Sequence, residues 1–176
     1  WRFPVHRIAA GVALWWLGGF PALPLPGLEL GFGWLGIPLG VLCIVWLLNL
    51  YNFMDGIDGI AGVEAVTVAA GAALLLWVRG DAAMAGVLVL LAAAVLGFLA
   101  WNWPPARIFM GDVGSAYLGF VLGVMALATS AEGPLNLWVW LILLAVFITD
   151  ATVTLLRRLL RGERWYEAHR PHAYQP

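Results

Sequence analysis

The chain has 176 residues, of which 63% are hydrophobic and 11% charged, with a mean hydropathy of +0.92. A water-soluble domain carries about 25% charged residues, so water is not the main solvent of this chain. Its net charge of −1 is small and its single cysteine, Cys43, stands in an apolar run; these exclude an internal disulfide and argue against a zinc site.

Six stretches are apolar and long enough to be read as membrane spans of about 20 residues. In chain order they are Val5 to Phe20, which is short, then Phe32 to Leu50, Gly59 to Val78, Ala82 to Trp101, Val113 to Ala131 and Leu135 to Leu156. Proline-rich loop Pro21–Gly27 separates the first two, because proline cannot continue a helix. The expected fold is therefore an all-α polytopic membrane protein with about six transmembrane helices, forming one integral-membrane domain over 1–176. An even number of spans puts both ends on one side. That side would hold Arg2, Arg7, Arg107, Arg157, Arg158, Arg161, Arg164 and Arg170, against Arg79 on the other. By the positive-inside rule both ends are expected in the cytoplasm. Trp34, Trp77, Trp101, Trp103, Trp138 and Trp140 fall near span ends, as an interfacial aromatic belt requires.

The polar residues cluster on the same side. The first inner segment is Asn49-Leu-Tyr-Asn-Phe-Met-Asp-Gly-Ile-Asp-Gly-Ile-Ala-Gly62. Asp55 and Asp58 are three apart, which on a helical turn gives one face; with Asn49 and Asn52 they offer hard oxygen ligands suited to Mg²⁺ or Mn²⁺. The bland alternative for Asp58 is a helix cap. The second is Asn102-Trp-Pro-Pro-Ala-Arg-Ile-Phe-Met-Gly-Asp-Val-Gly-Ser115. Its prolines break the chain, and Asp112, Gly114 and Ser115 open the fifth helix. Helix openings at Gly59 and here present free N–H groups and partial positive charge, a natural diphosphate site. The third is the tail from Arg157 to Gln175, with five arginines and the pair His169 and His172. It reads either as a headgroup-binding strip or as a phosphate-binding arm in which Arg170 and the histidines donate. Asp150 lies within the sixth span, where an ion pair with Arg157 is the expected role.

Together the three segments resemble the polyprenyl-phosphate N-acetylhexosamine-1-phosphate transferases, a family that initiates cell-envelope glycans. The resemblance covers essentially the whole chain. It implies transfer of a sugar 1-phosphate from UDP-N-acetylhexosamine to polyprenyl phosphate with release of UMP, Mg²⁺ (or Mn²⁺) as cofactor, and a multi-pass protein of the bacterial inner membrane with its site facing the cytoplasm. It further implies Asp112 as metal ligand, Asn49, Asn52, Asp55 and Asp58 on the nucleotide and diphosphate side, and Gly56 and Ile57 near the uracil. Phe109 corresponds to the aromatic that stacks on that base and Asn102 to an asparagine of the same pocket; Gly111 is a further substrate-binding candidate, and Arg107 either contacts substrate or anchors its loop. Asp55, Asp58, Asp112, His169 and His172 are the implied catalytic set, and Arg170 the implied contact of the tail. The pattern His-Arg-Pro-His-Ala-Tyr-Gln is nearer the O-antigen-initiating variant than the three-histidine peptidoglycan type. The family also carries an Asp-Asp pair that this chain lacks; it is expected upstream of Trp1, and the fragment alone is expected to be inactive. The partners expected are the two substrates and the lipid bilayer, with a homodimer as an open assembly and no nucleic acid. The rival reading, a membrane transporter, suits broken helices but needs more polar residues at the midplane than Asp150.

Overall fold

The computed structural model describes residues 2–160. Chain order runs from α1 (Arg2–Leu17) through a hairpin of β1 (Leu23–Leu25) and β2 (Leu28–Leu30) to α2 (Gly36–Met54), α3 (Ile60–Val78), α4 (Ala82–Asn102), α5 (Gly111–Ala131), α6 (Leu137–Leu143) and α7 (Ala145–Leu160). The protein is an all-α polytopic membrane protein. Four helices are long and apolar enough to cross a bilayer: Gly33–Met54, Ile60–Val78, Ala82–Asn102 and Gly111–Ala131. Counted together as one broken span, the bent pair α6 and α7 brings the number to five. The first expected span is a helix of 16 residues, shorter than a bilayer requires for a perpendicular crossing.

Two features depart from expectation. The proline-rich loop is an antiparallel hairpin pairing Leu23 with Leu30 and Leu25 with Leu28. Pro26 fixes one turn position and Gly27, at φ 78°, takes the left-handed one, as a tight turn of this type requires. Trp138 Nε1 donates to the Pro24 carbonyl at 2.9 Å and ties the hairpin to α6. The sixth span, expected as one helix, breaks at Leu144 with a 70° bend. No proline or glycine lies between 137 and 160, so none of the usual local causes applies.

Two helix pairs form the core. α3 and α4 pack as an antiparallel pair joined by a short turn, with Asp81 capping α4 by accepting from Met84 N at 3.0 Å. Both helices put small residues into the core, among them Ala61, Ala65, Ala69, Ala72, Ala85 and Ala92, and Gly62 of α3 lies against Leu99 of α4; small residues let membrane helices approach without a hydrophobic drive between them. α2 and α5 approach closely at Gly119 and Gly123, a small-xxx-small pair. α1 packs on α2 and α5, and α7 on α2. Leu74, Trp77, Leu90, Leu96 and Ile142 point outward, as lipid-facing side chains do.

Candidate active site

The α2–α3 and α4–α5 connections lie at one end of the bundle and are stapled together. Asn102, 4% exposed, uses both ends of its amide: Oδ1 accepts from Gly59 N at 2.9 Å and Nδ2 donates to the Ile108 carbonyl at 2.8 Å. Asp58 Oδ2 accepts from Ala106 N at 2.9 Å. Gly59 sits at φ 80°, a conformation that side chains resist, and so turns its N–H toward Asn102. A third link joins α2 to α5, where the Ser115 hydroxyl lies 3.1 Å from Asn52 Oδ1 and 3.1 Å from the Gly111 carbonyl.

These links enclose a cleft of about 230 Å³ lined by Asn52, Asp55, Gly56, Ile57, Asp58, Asn102, Phe109, Met110, Gly111 and Asp112. Nine of these ten belong to the residues singled out from the sequence; Met110 is the addition. Phe109 is 77% exposed, an apolar ring held in the open on the rim. Asp55 and Asp58 do not share a helical face, because 55–59 is the connection between α2 and α3. Their roles divide instead. Asp58 braces the opposite loop, and Asp55 interacts electrostatically with Asp112. Burial first, and the Asp112 charge second, raise the Asp55 carboxyl above its ordinary value. The opening of α3 is taken up by Asn102, so of the two helix openings only that of α5 borders the cleft.

Asn49 and Arg107 fall outside it. Asn49 donates to the Val45 carbonyl at 2.6 Å and lines a neighbouring cavity of about 450 Å³ with His6, Asn52, Asp112, Leu48, Tyr117 and Phe120. Arg107 stacks over the Trp101 ring at 5.8 Å, a cation–π anchor for the loop. His169, Arg170 and His172 lie outside the described residues. The neighbouring cavity is polar where it meets Asp112 and apolar beyond. His6 was missed by motif reasoning; the available signal was its spacing of three from Ala9, which puts both on one helical face. Asp150, expected to pair with Arg157, lines a further cavity of about 520 Å³ with Asp58, Glu64 and Phe147.

No group of three or more His, Cys, Asp or Glu side chains is gathered for a metal among the described residues. The donor set nonetheless fits Mg²⁺. Two facing carboxylates repel each other, a divalent cation relieves that repulsion, and Mg²⁺ ordinarily takes one or two carboxylates and completes its shell with water and substrate phosphate.

The staple yields a direct expectation. Asn102→Ala leaves the Gly59 N–H and the Ile108 carbonyl without partners, and each buried orphan costs about 1–3 kcal/mol. A lowered thermal midpoint in detergent is expected, with Asn102→Asp, which keeps the acceptor for Gly59, intermediate between the two. Equal midpoints for all three proteins would remove the staple from the account.

The cleft and the neighbouring cavity share Asn52 and Asp112 in their walls. The chain belongs to glycosyl transferase family 4, the family of the polyprenyl-phosphate hexosamine-1-phosphate transferases, whose model matches residues 1–130. It is 40% identical over 145 residues to a phospho-N-acetylmuramoyl-pentapeptide-transferase of Synechococcus sp. (strain RCC307), covering 76% of this chain and 39% of that protein. It is 33% identical over 133 residues to a probable undecaprenyl-phosphate N-acetylglucosaminyl 1-phosphate transferase of Bacillus subtilis (strain 168), covering 74% and 37%. A phospho-N-acetylmuramoyl-pentapeptide-transferase of Streptococcus thermophilus (strain CNRZ 1066) is 31% identical over 164 residues, covering 89% and 46%. The chain thus spans less than half the length of these relatives.

Proposed function

We propose that this chain carries the nucleotide and metal side of an enzyme that transfers N-acetylhexosamine 1-phosphate from a UDP-sugar to undecaprenyl phosphate, releasing UMP. The observation that carries the reading is the convergence of Asn52, Asp55 and Asp112 in one cleft beside the exposed Phe109 ring. Asp112 and Asp55 would hold Mg²⁺, which when bound neutralises diphosphate charge and stabilises the leaving nucleotide phosphate. Asn52 supplies a neutral oxygen or amide beside them. Phe109, Ile57 and Gly56 form a flat apolar rim for the uracil. An oxygen of the lipid phosphate attacks the β-phosphorus, and the bond to the α-phosphate oxygen breaks to leave UMP. Holding two anions together is most of the work in such a transfer. UDP-sugars are made in the cytoplasm, so the site faces that side of a bacterial inner membrane.

Two donors compete. The histidine pattern of the tail favours UDP-N-acetylglucosamine or a related amino sugar and the initiation of an O-antigen-type glycan. Two of the three relatives described above carry the name of the muramoyl-pentapeptide enzyme, which favours a peptidoglycan precursor. UMP release by the full-length enzyme, measured with each donor, undecaprenyl phosphate and Mg²⁺, separates them. Silence with every donor would refute the transferase, and lipid-independent UDP-sugar flux into vesicles would support a transporter.

The rim makes its own expectation. Stacking of a base on an aromatic ring contributes about 1–3 kcal/mol, so Phe109→Ala should raise KM for the UDP-sugar about tenfold or more, with little effect on the thermal midpoint. Phe109→Tyr should restore it. An unchanged KM in the alanine variant would show that the base lies elsewhere.

A further inference from the structure

α2 and α5 run antiparallel past the cleft and are joined there by one buried hydroxyl. Leu48 of α2 meets Gly119 of α5, and one turn nearer the cleft Asn52 meets Ser115. Asp112 precedes Ser115 by three residues, so the two share a face of α5. Asn52, which is half-buried, and Asp112 both line the cleft.

Ser115 is fully buried and has one proton to give. A helical serine or threonine ordinarily gives it to the carbonyl four residues back. Further along α5, Thr129 does so to Met125 at 2.8 Å and Ser130 to Ala126 at 2.6 Å. The Ser115 hydroxyl instead lies 3.1 Å from the Gly111 carbonyl and 3.1 Å from Asn52 Oδ1. Both distances are longer than usual for an O–H donor, as a proton shared between two acceptors requires. The helix itself has no need of this hydroxyl, because alanine is the better helix former. What the hydroxyl holds is the Asn52 amide. An amide oxygen has two lone pairs; one takes the Ser115 proton and the other is left for the cleft. A hydrogen bond from outside the coordination shell commonly orients a metal ligand in this way.

We propose that Ser115 is a positioning residue of the site: by its hydrogen bond to Asn52 Oδ1 it holds that oxygen as a cation ligand on the wall that also bears Asp112. This role deepens the reading of the cleft as a Mg²⁺ site and rests on it.

The test uses the full-length enzyme with Mn²⁺ alone as the probe, its binding followed by the electron paramagnetic resonance of the free ion. The variants are Ser115→Ala, Asn52→Ala and the two combined. Ser115→Ala should weaken Mn²⁺ binding about tenfold, while the metal-free thermal midpoint stays close to the parent's, since alanine favours the helix. Asn52→Ala should weaken binding at least as much. The double variant should bind no more weakly than Asn52→Ala, because residues that act through one another are not additive. In UMP release, Ser115→Ala should raise the Mg²⁺ concentration for half-maximal rate by the same factor, with kcat at saturating Mg²⁺ and KM for the UDP-sugar changed less than about twofold. Parental Mn²⁺ affinity in Ser115→Ala overturns the role, and losses that add in the double variant overturn its route through Asn52. A parent that binds Mn²⁺ no better than its Asp112→Asn variant refutes the metal reading of the cleft and the role with it. A parent that binds Mn²⁺ through Asp112 but releases UMP from no donor refutes the transferase, while the Mn²⁺ affinities still decide what Ser115 does.

Discussion

Replacing Gly119 with alanine is expected to separate α2 from α5 and to remove most activity. A Cβ at this position would lie 2.7 Å from the Leu47 carbonyl oxygen and 2.7 Å from the Leu48 Cα. Both are backbone atoms, so no rotamer change relieves the clash and one helix must shift. Inserting volume into a packed seam costs about 1–3 kcal/mol. The cost in activity is larger than the cost in stability, because the seam sets the register of the site. Asn52 stands one turn beyond Leu48 on α2, and Ser115 and Asp112 stand one and two turns before Gly119 on α5. The Asn52–Ser115 contact at 3.1 Å spans that seam. A loss of UMP release of about 10²-fold is expected from a displacement on the order of 1 Å. Gly123→Ala serves as the control: its Cβ would meet nothing closer than Leu47 Cδ2 at 3.4 Å, ordinary contact distance, so near-parental activity is expected. Similar activity in the two variants, measured per folded protein, would show that the seam does not govern the site.

Asp112→Asn is expected to abolish metal-dependent turnover while the protein still folds. Asp112 is exposed in the first turn of α5, so its loss opens no cavity. A metal acting on a phosphoryl oxygen contributes several kcal/mol, and each 1.4 kcal/mol is about tenfold in rate. A fall on the order of 10²–10³-fold is expected, not recovered by raising Mg²⁺. The same site gives a pH dependence with a defined sign. Asp55 ionises above its ordinary value because of burial and the charge of Asp112, so it is protonated, and lost as a ligand, at a higher pH than a free aspartate. The Mg²⁺ concentration needed for half-maximal rate should therefore rise as pH falls toward that value. In Asp112→Asn, one of the two causes is gone and Asp55 should titrate lower, readable by carboxylate infrared difference spectra. Parental turnover by the asparagine variant would remove Asp112 from the metal site.

Four of the six expected spans were legible because a bilayer demands long apolar runs, and hydropathy reads those directly. The cleft was legible because its residues are concentrated in two short polar segments at span ends. What hydropathy could not show was how the polar atoms divide. Asp55 and Asp58 look equivalent in sequence, yet one faces Asp112 and the other holds Ala106, a difference set by a loop 48 residues away. Asn102 matched a binding motif, but its amide is spent on Gly59 and Ile108. The break at Leu144 left no local trace, since no proline or glycine stands between 137 and 160. The hairpin was announced by Pro26-Gly27 between leucines, a turn dipeptide, and was read only as a loop.

The staples also bear on how the protein is made. Asn102 and Gly59 are 43 residues apart and Asp58 and Ala106 are 48 apart, while Ser115 and Asn52 are separated by 63. Contacts that distant form only after the intervening chain has been placed. During synthesis, α2 and α3 enter the membrane with their connecting loop lacking every one of these partners. Only when α4 and the segment after it have been made does the loop find its braces. The cleft is thus a late product of biogenesis, and a nascent chain stalled before Asn102 would display an unbraced acidic loop to the proteases that survey membrane insertion.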